Sequence, residues 1–334
     1  MPGSQSRTKL IALLFHTMGC VSTQHFDDPA VQLAHDSALK SIARVVHETV
    51  TPTPPAQALA FILRQLRATG CLVLTGAGVS TDSGIPDYRG PNGSLTRHRP
   101  MTYQEFQHDP EALRRYWARS FIGWRHMDEA RPNSVHRAIA ALEARGFVSG
   151  LITQNVDGLH TQAGSRTVIP LHGDLGSVCC LTCGHREKRT RFDKRLASAN
   201  PGYVESIHVD TSMVNPDGDV ALRDEDVAAF HLAECENCGS TKLKPDVVYF
   251  GEPVPANRKA RARELLDKSS SLLVVGSSLA VMSGYTFVLD ARAQGKPVAV
   301  INGGPGRGDK KADVVWRTDV ASAFEQISAA LDVA

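Results

Sequence analysis

The chain has 334 residues, 42% hydrophobic and 22% charged, with a formal net charge of +2. That is room for about two ordinary globular domains, and it excludes both a disordered polyelectrolyte and a chain-wide basic field for nucleic acid or anionic membrane. No apolar run reaches the roughly 20 residues that span a bilayer.

The first segment, "RTKLIALLFHTMGC", has a basic start and an apolar patch at 10–15, but His16 interrupts it, and Thr17 and Met18 make a weak cleavage site. It does not read as a secretory signal. Residues 1–52 carry no sustained pattern apart from helical spacing over 29–48, and are expected as a poorly ordered N-terminal extension. "TPTPP" at 51–55 is a stiff break. The organised body, 53–334, begins with a helix that places Leu59, Ile62, Leu63 and Leu66 at helical spacing before Gly70. "CLVLT" at 71–75 follows as a buried strand.

A helix over 108–124 opens at Asp109 and Pro110, and another over 132–146 runs from Asn133 as N-cap to Gly146 as C-cap. Strands are expected at 149–155 and 167–173, then a cysteine module over 176–243, then "KPDVVYFG". A helix at 256–268, "SLLVVG", a helix at 284–294, "PVAVIN", a short strand at 313–316 and a last helix from Ala321 complete the chain. Alternation at both ends predicts an α/β fold, a doubly wound parallel Rossmann-like sheet. The large part takes 53–102, 147–175 and 244–334. An inserted small zinc-binding and helical domain takes 103–146 and 176–243.

The loop after the first strand, "TGAGVSTDSG", has Gly76 and Gly78 where backbone can approach a pyrophosphate. A dinucleotide fingerprint would have a third glycine where Thr81 stands, and an acidic strand tip about 20 residues on, where "GSLTRHRP" stands; hydride transfer is disfavoured. Other strand tips are small and polar: Gln154, Asn155 and Asp157; Gly276, Ser277 and Ser278; Asn302 and Gly303. In a doubly wound sheet these carboxyl ends share one crevice, so together they point to a nucleotide site. His172, in "PLHGD", sits on the same rim and suits general-base work.

Of seven cysteines, four form two pairs, Cys180 with Cys183 and Cys235 with Cys238, each with two residues between and a glycine after. Two such turns complete a closed, structural zinc site, and they place the chain in a reducing compartment rather than under a disulfide framework. Cys179 adjoins Cys180 and leaves a ligand ambiguity, resolved toward Cys180 by symmetry with the second pair. The basic run at 185–195 reads as a solvated face of this module, with no nucleic acid or membrane partner expected.

"GAGVSTDSGIPDYRG", "TQNVDGLH", "LHGD", the paired cysteines and "KPDVVYFGE", in that order, resemble the sirtuins, NAD-dependent protein deacylases, over about residues 57–330. The long gap between cysteine pairs, "YWARSFIGW" and "NPDGDV" resemble the class II branch. The resemblance implies NAD as co-substrate, one structural zinc ion, acyl-lysine proteins or peptides as partners and a cytoplasmic enzyme. It implies that Gly76, Ala77, Gly78 and Ser80 hold the pyrophosphate side, and that Asp87, Tyr88 and Arg89 belong to a loop closing over the nicotinamide ribose. Gln154, Asn155, Val156 and Asp157 would line the ribose and nicotinamide pocket, with Asn155 and His172 catalytic and His172 the base. Gly276, Ser277, Ser278, Asn302, Gly303, Gly304 and Val320 would meet the adenosine half. Val247, Val248, Tyr249, Phe250 and Gly251 would pair as a strand with the substrate peptide.

By the same resemblance, the acyl oxygen attacks the ribose, nicotinamide leaves, and the products are O-acyl-ADP-ribose and free lysine. Two departures stand out. The tyrosine–arginine pair of succinyl-removing members is absent, leaving Arg97 or Arg99 for an acidic acyl group, and Ser283 stands where many members have proline. The acyl group is open among acetyl, longer aliphatic and lipoyl-type. Protein mono-ADP-ribosylation and a non-catalytic NAD-sensing zinc protein are the alternative readings.

Overall fold

The computed structural model describes residues 24–91, 93–207 and 214–333. The apolar patch at 10–15 lies outside them. The described chain opens with α1 (Pro29–Ile42), where the Asp28 carboxylate accepts from the Ala30 N–H and Pro29 occupies the first turn. After the Pro-rich break come α2 (Pro55–Arg67) and the fully buried β1 (Cys71–Thr75). The expected helix over 108–124 is divided differently: a short α3 (Tyr103–His108) precedes α4 (Pro110–Glu129), which runs on until the approach to Pro132. Then follow α5 (Ser134–Ala144), β2 (Val148–Thr153), α6 (Leu159–Gln162) and β3 (Val168–Pro170). Next come β4 (Gly173–Cys180), β5 (Arg186–Lys188), α7 (Arg189–Ala199), α8 (Tyr203–Ser206), α9 (Asp224–Ala229) and β6 (Leu243–Val247). The last stretch holds α10 (Ala256–Lys268), β7 (Ser271–Val275), α11 (Met282–Ala293), β8 (Val298–Ile301), β9 (Val314–Trp316) and α12 (Val320–Leu331).

Six parallel strands form one sheet in the order β3-β2-β1-β7-β8-β9. Apart from the edge strand β3, the strands are largely buried on both faces, because alternate side chains serve two separate cores. Cys71 and Val73 pack with Ile62 and Leu66 of α2, Ile139 of α5 and Phe324 of α12. Leu72 and Leu74 pack with Leu266 of α10 and Phe287 and Val288 of α11. Each fully buried aliphatic side chain of this kind contributes about 1.5–3 kcal/mol. The strand order reverses between β1 and β7, so their carboxyl ends flank the switch point where doubly wound sheets bind ligands.

A second, antiparallel sheet, β5-β4-β6, carries the cysteine module. Its core joins Trp117 and Phe121 of α4 to Phe192 and Leu196 of α7, and the Trp117 indole donates to the Leu243 oxygen at 2.9 Å. The domain borders drawn at 175/176 and 243/244 fall inside β4 and β6, since each of these strands is one continuous element of the small sheet.

The expectation of a poorly ordered extension over 1–52 is corrected for its described part. Ala38 and Ile42 of α1 are buried, and His35 Nδ1 lies 2.9 Å from the buried Thr102 hydroxyl. Glu48 pairs with Arg317 at 2.8 Å. The helix ends at Ile42 rather than 48, where Ala43 donates back to the Leu39 oxygen.

Candidate active site

The loops after β1 and β7 touch at the switch point. The Gly78 N–H donates to the Gly276 oxygen at 2.9 Å. A Cβ on Gly76 would lie 2.7 Å from Ser277 Cβ, and Gly276 sits at φ +59 with Val79 N 2.7 Å from where its Cβ would be. Glycine is required at this junction because backbone meets backbone. Ala77–Val79 and Thr81–Ser83 each form a single 3-10 turn, so the loop coils over the crevice instead of running into a helix.

The tip of β2 ties this junction together. Asn155 Nδ2 donates to the Gly76 oxygen at 3.1 Å and to Ser80 Oγ at 3.0 Å, and the buried Ser80 hydroxyl donates to Asp157 Oδ2 at 2.7 Å. Asp157 Oδ1 accepts from the Leu159 N–H at 2.9 Å. Burial pushes the Asp157 carboxyl up from the usual range, against the pull of these donors. Gln154 Nε2 reaches Ser277 Oγ at 2.6 Å. Val156 gives its oxygen to the Leu175 N–H, linking the crevice to β4.

His172 follows β3 and is partly buried. Its Nδ1 lies 3.0 Å from the Gln154 oxygen, and its Nε2 lies 2.7 Å from Ser283 Oγ. Burial lowers its pKa to about 4, opposed by the Gln154 bond and assisted by the Arg258 charge. The ring is therefore neutral at pH 7 and carries one basic nitrogen.

Arg89 is turned elsewhere. Its guanidinium donates to the main-chain oxygens of Ser41, Ile42 and Arg44 at the end of α1. Asp87 accepts from the Gly90 N–H at 2.8 Å, and Tyr88 stands edge-on to Phe250. Arg99 is paired with Glu105 at 2.6 Å. After β7 and β8, the Ser278 oxygen accepts from the Arg307 N–H, and Asn302 Nδ2 donates to the Gly304 oxygen at 2.7 Å beside the exposed Gly303. Val320 heads α12, but its side chain is buried in the core with Val79 and Phe324.

The expected strand through "KPDVVYFG" is corrected in its length, while Val247–Gly251 remains the segment assigned to a substrate peptide by resemblance. The ladder stops at Val247, apart from one bond from the Val248 N–H to the His172 oxygen. The Lys244 ammonium donates to the Val247 oxygen, the Tyr249 N–H donates to Glu252 Oε2 at 3.0 Å, and the Glu252 N–H closes a turn onto the Tyr249 oxygen. Phe250 bridges to Thr102 instead, and Gly251 supplies the positive φ of the turn. Two charged side chains thus bond main-chain atoms of this segment.

Cys180, Cys183, Cys235 and Cys238 place all four sulfurs within 4.8 Å of one another, with Cys180–Cys238 and Cys183–Cys235 both at 3.7 Å. Zn–S bonds of about 2.3 Å in a tetrahedron put sulfurs about 3.8 Å apart, so the donor set fits zinc and leaves no open position. Cys179 is outside this group, pairing across β4 with Arg186 and Lys244.

Several neighbours escaped the reading of the sequence. His160 Nε2 lies 3.0 Å from the Thr75 hydroxyl, which donates to Thr153 Oγ1 at 2.9 Å. Asn133 Nδ2 holds the Val79 oxygen at 2.7 Å, and His136 packs against His160 with its pKa lowered to about 4, first by burial. His160 lies inside "TQNVDGLH", and its position was the available signal.

A Sir2 family model matches residues 76–283. "NAD-dependent protein deacetylase 1" of Corynebacterium efficiens is 60% identical over 276 residues, covering 83% of this chain and 98% of its own length. "NAD-dependent protein deacylase SIR4" of Batrachochytrium dendrobatidis is 40% identical over 304 residues, covering 86% of this chain and 99% of its own. A solved structure described as "Sir2-p53 peptide-NAD+" aligns with TM-score 0.64 at 28% identity, over 83% of this chain and 99% of that one. With the switch-point crevice, the four-cysteine cluster and matches of this length, the chain belongs to the Sir2 family.

Proposed function

We propose that the protein is an NAD-dependent protein lysine deacylase. It cleaves the nicotinamide–ribose bond of NAD and moves an acyl group from lysine to ADP-ribose, releasing nicotinamide and O-acyl-ADP-ribose. The observation that carries this reading is His172, a neutral imidazole with one basic nitrogen, bonded to the same strand tip, Gln154–Asn155–Asp157, that braces the glycine junction.

In this reading His172 takes a proton from a ribose hydroxyl. Asn155, Ser80 and Asp157 orient the ribose, with Asn155 fixed by its two bonds to the β1 loop. Gly76, Ala77 and Gly78 admit the pyrophosphate, and Ser277, Ser278, Asn302 and Gly303 meet the adenosine half. Val247–Gly251 receives the acyl-lysine peptide. Four cysteines hold one zinc ion that supplies rigidity to the small domain and no open coordination position. No described helix is long and apolar enough to cross a membrane. A cytoplasmic location belongs to the same reading, supported by thiols gathered for metal rather than oxidised.

The test is mass spectrometry of the protein with NAD and a panel of acyl-lysine peptides, with His172→Ala alongside. Nicotinamide and O-acyl-ADP-ribose formed by wild type alone support the reading and name the acyl group. Nicotinamide released without peptide deacylation, with ADP-ribose retained on protein, overturns it in favour of ADP-ribosyl transfer.

A further inference from the structure

Ser283 is the second residue of α11, and its Oγ lies 2.7 Å from His172 Nε2. The other ring nitrogen, Nδ1, is 3.0 Å from the Gln154 main-chain oxygen. A carbonyl oxygen only accepts, so Nδ1 carries the ring proton. Nε2 then holds the lone pair, and the Ser283 hydroxyl donates to it. Both ring nitrogens are thereby satisfied in a single tautomer of the neutral ring.

The position of Ser283 favours this bond. Val281, the N-cap of α11, offers no side-chain cap, so the first-turn N–H groups leave partial positive charge beside Ser283 and strengthen its hydroxyl as a donor. The facing cation is Arg258 of α10, whose guanidinium lies 3.2 Å from Asp246. Gln154 joins the two sides: its oxygen holds the ring while its side chain holds Ser277 at the tip of β7.

We propose that Ser283 is a positioning residue for His172: its hydroxyl holds the Nε2 edge of the Nδ1–H ring in place and is displaced from Nε2 by the substrate hydroxyl during turnover. In that exchange the proton passes from the substrate hydroxyl to Nε2, and Ser283 keeps its own. The identity of that hydroxyl, a ribose hydroxyl of NAD, rests on the deacylase reading above.

The experiment uses the full chain labelled with 15N-histidine, with Ser283→Ala and Ser283→Thr compared, and His172→Gln used to assign the ring. Without NAD, wild type should show one tautomer of His172 with an unprotonated, hydrogen-bonded Nε2. Ser283→Ala should keep the Nδ1–H tautomer, because the Gln154 oxygen still accepts from Nδ1, but should move the Nε2 resonance to that of an unbonded nitrogen and raise the pKa of His172, because a donor that favours the neutral ring is gone; Ser283→Thr should restore both. In turnover, Ser283→Ala should lower kcat for O-acyl-ADP-ribose about three- to tenfold, the scale of one lost hydrogen bond, with KM for NAD within about twofold.

An unchanged Nε2 resonance and pKa in Ser283→Ala overturns the bond. A changed spectrum with unchanged kcat overturns the positioning role. Ser283→Thr behaving like Ser283→Ala assigns the effect to volume and overturns the donor. If wild type makes no O-acyl-ADP-ribose, the deacylase reading fails and the turnover role fails with it, while the spectrum still decides the bond.

Discussion

Arg89 donates to the main-chain oxygens of Ser41 and Ile42, at 3.3 and 3.4 Å, and so ties the loop after β1 to the end of helix α1. A chain that begins at Thr49 lacks these acceptors and leaves Arg89 available to an anionic cofactor. Its KM for NAD should fall about two- to fivefold, in keeping with partly buried polar contacts worth up to about 1 kcal/mol, with kcat unchanged. Steady-state kinetics on the two chains makes the comparison, and a higher KM in the shorter chain would show α1 to be a support of the bound loop instead.

Three histidines should make the fold acid-sensitive. Burial lowers His172 and His136 to about 4 and His160 well below its ordinary value. In the unfolded chain they titrate near 6.5. Below that pH the unfolded state binds protons that the folded state refuses, so stability is full above about 6.5 and falls toward about 4, where the folded rings of His172 and His136 titrate. His172 and His136 each contribute on the order of 3 kcal/mol across that window. Urea midpoints measured through it should drop, and His136→Gln should flatten the slope; an unaltered slope would remove His136 from the account.

Metal content separates Cys179 from its neighbour. Cys183→Ala and Cys238→Ala should each lose zinc, unfold the small domain and reduce activity indirectly, because a four-thiolate site contributes on the order of 10 kcal/mol to a module of this kind. Cys179→Ser should keep one zinc ion per chain. Elemental analysis beside near-UV circular dichroism reads both, and full activity in zinc-free Cys183→Ala would contradict a structural role.

Gly76→Ala places a methyl group 2.7 Å from Ser277 Cβ and 2.8 Å from the Gly276 oxygen. The loops after β1 and β7 must then part, at a cost of about 1–3 kcal/mol, and NAD binding should be lost. Calorimetric titration with NAD and a thermal melt give the two numbers. Adding Ser277→Gly should recover part of the stability, since it removes the contacts with Ser277 Cβ and Oγ and leaves only that with the Gly276 oxygen.

The sheet was legible because its strands are short apolar runs ending in small polar tips, and the crevice followed from those tips lying at one edge. The cysteine cluster was legible from spacing alone. Helix α1 was visible as a pattern, but not its docking: Arg89 meets main-chain oxygens, which have no signature in side-chain identity. The turn over Tyr249–Glu252 was hidden for a related reason. "DVVYFG" has the composition of a strand, yet the side chains of Lys244 and Glu252 bond the Val247 oxygen and the Tyr249 N–H. Helix α3 was missed although Thr102 and Glu105 form a capping box whose spacing was open to view. Ser283 was noticed only as a substitution for proline, and its partner His172 lies 111 residues away in the chain.

β4 joins the two chemistries of the molecule. His172 directly precedes its first residue and Cys180 is its last, so the candidate base and a metal thiolate sit at opposite ends of one eight-residue strand, whose pairing with β6 shifts register between Asp174 and Val178. A compound that ejects the metal would loosen the far end of this strand and shift the base without entering the crevice. Such an inhibitor would be noncompetitive with both NAD and the acyl peptide.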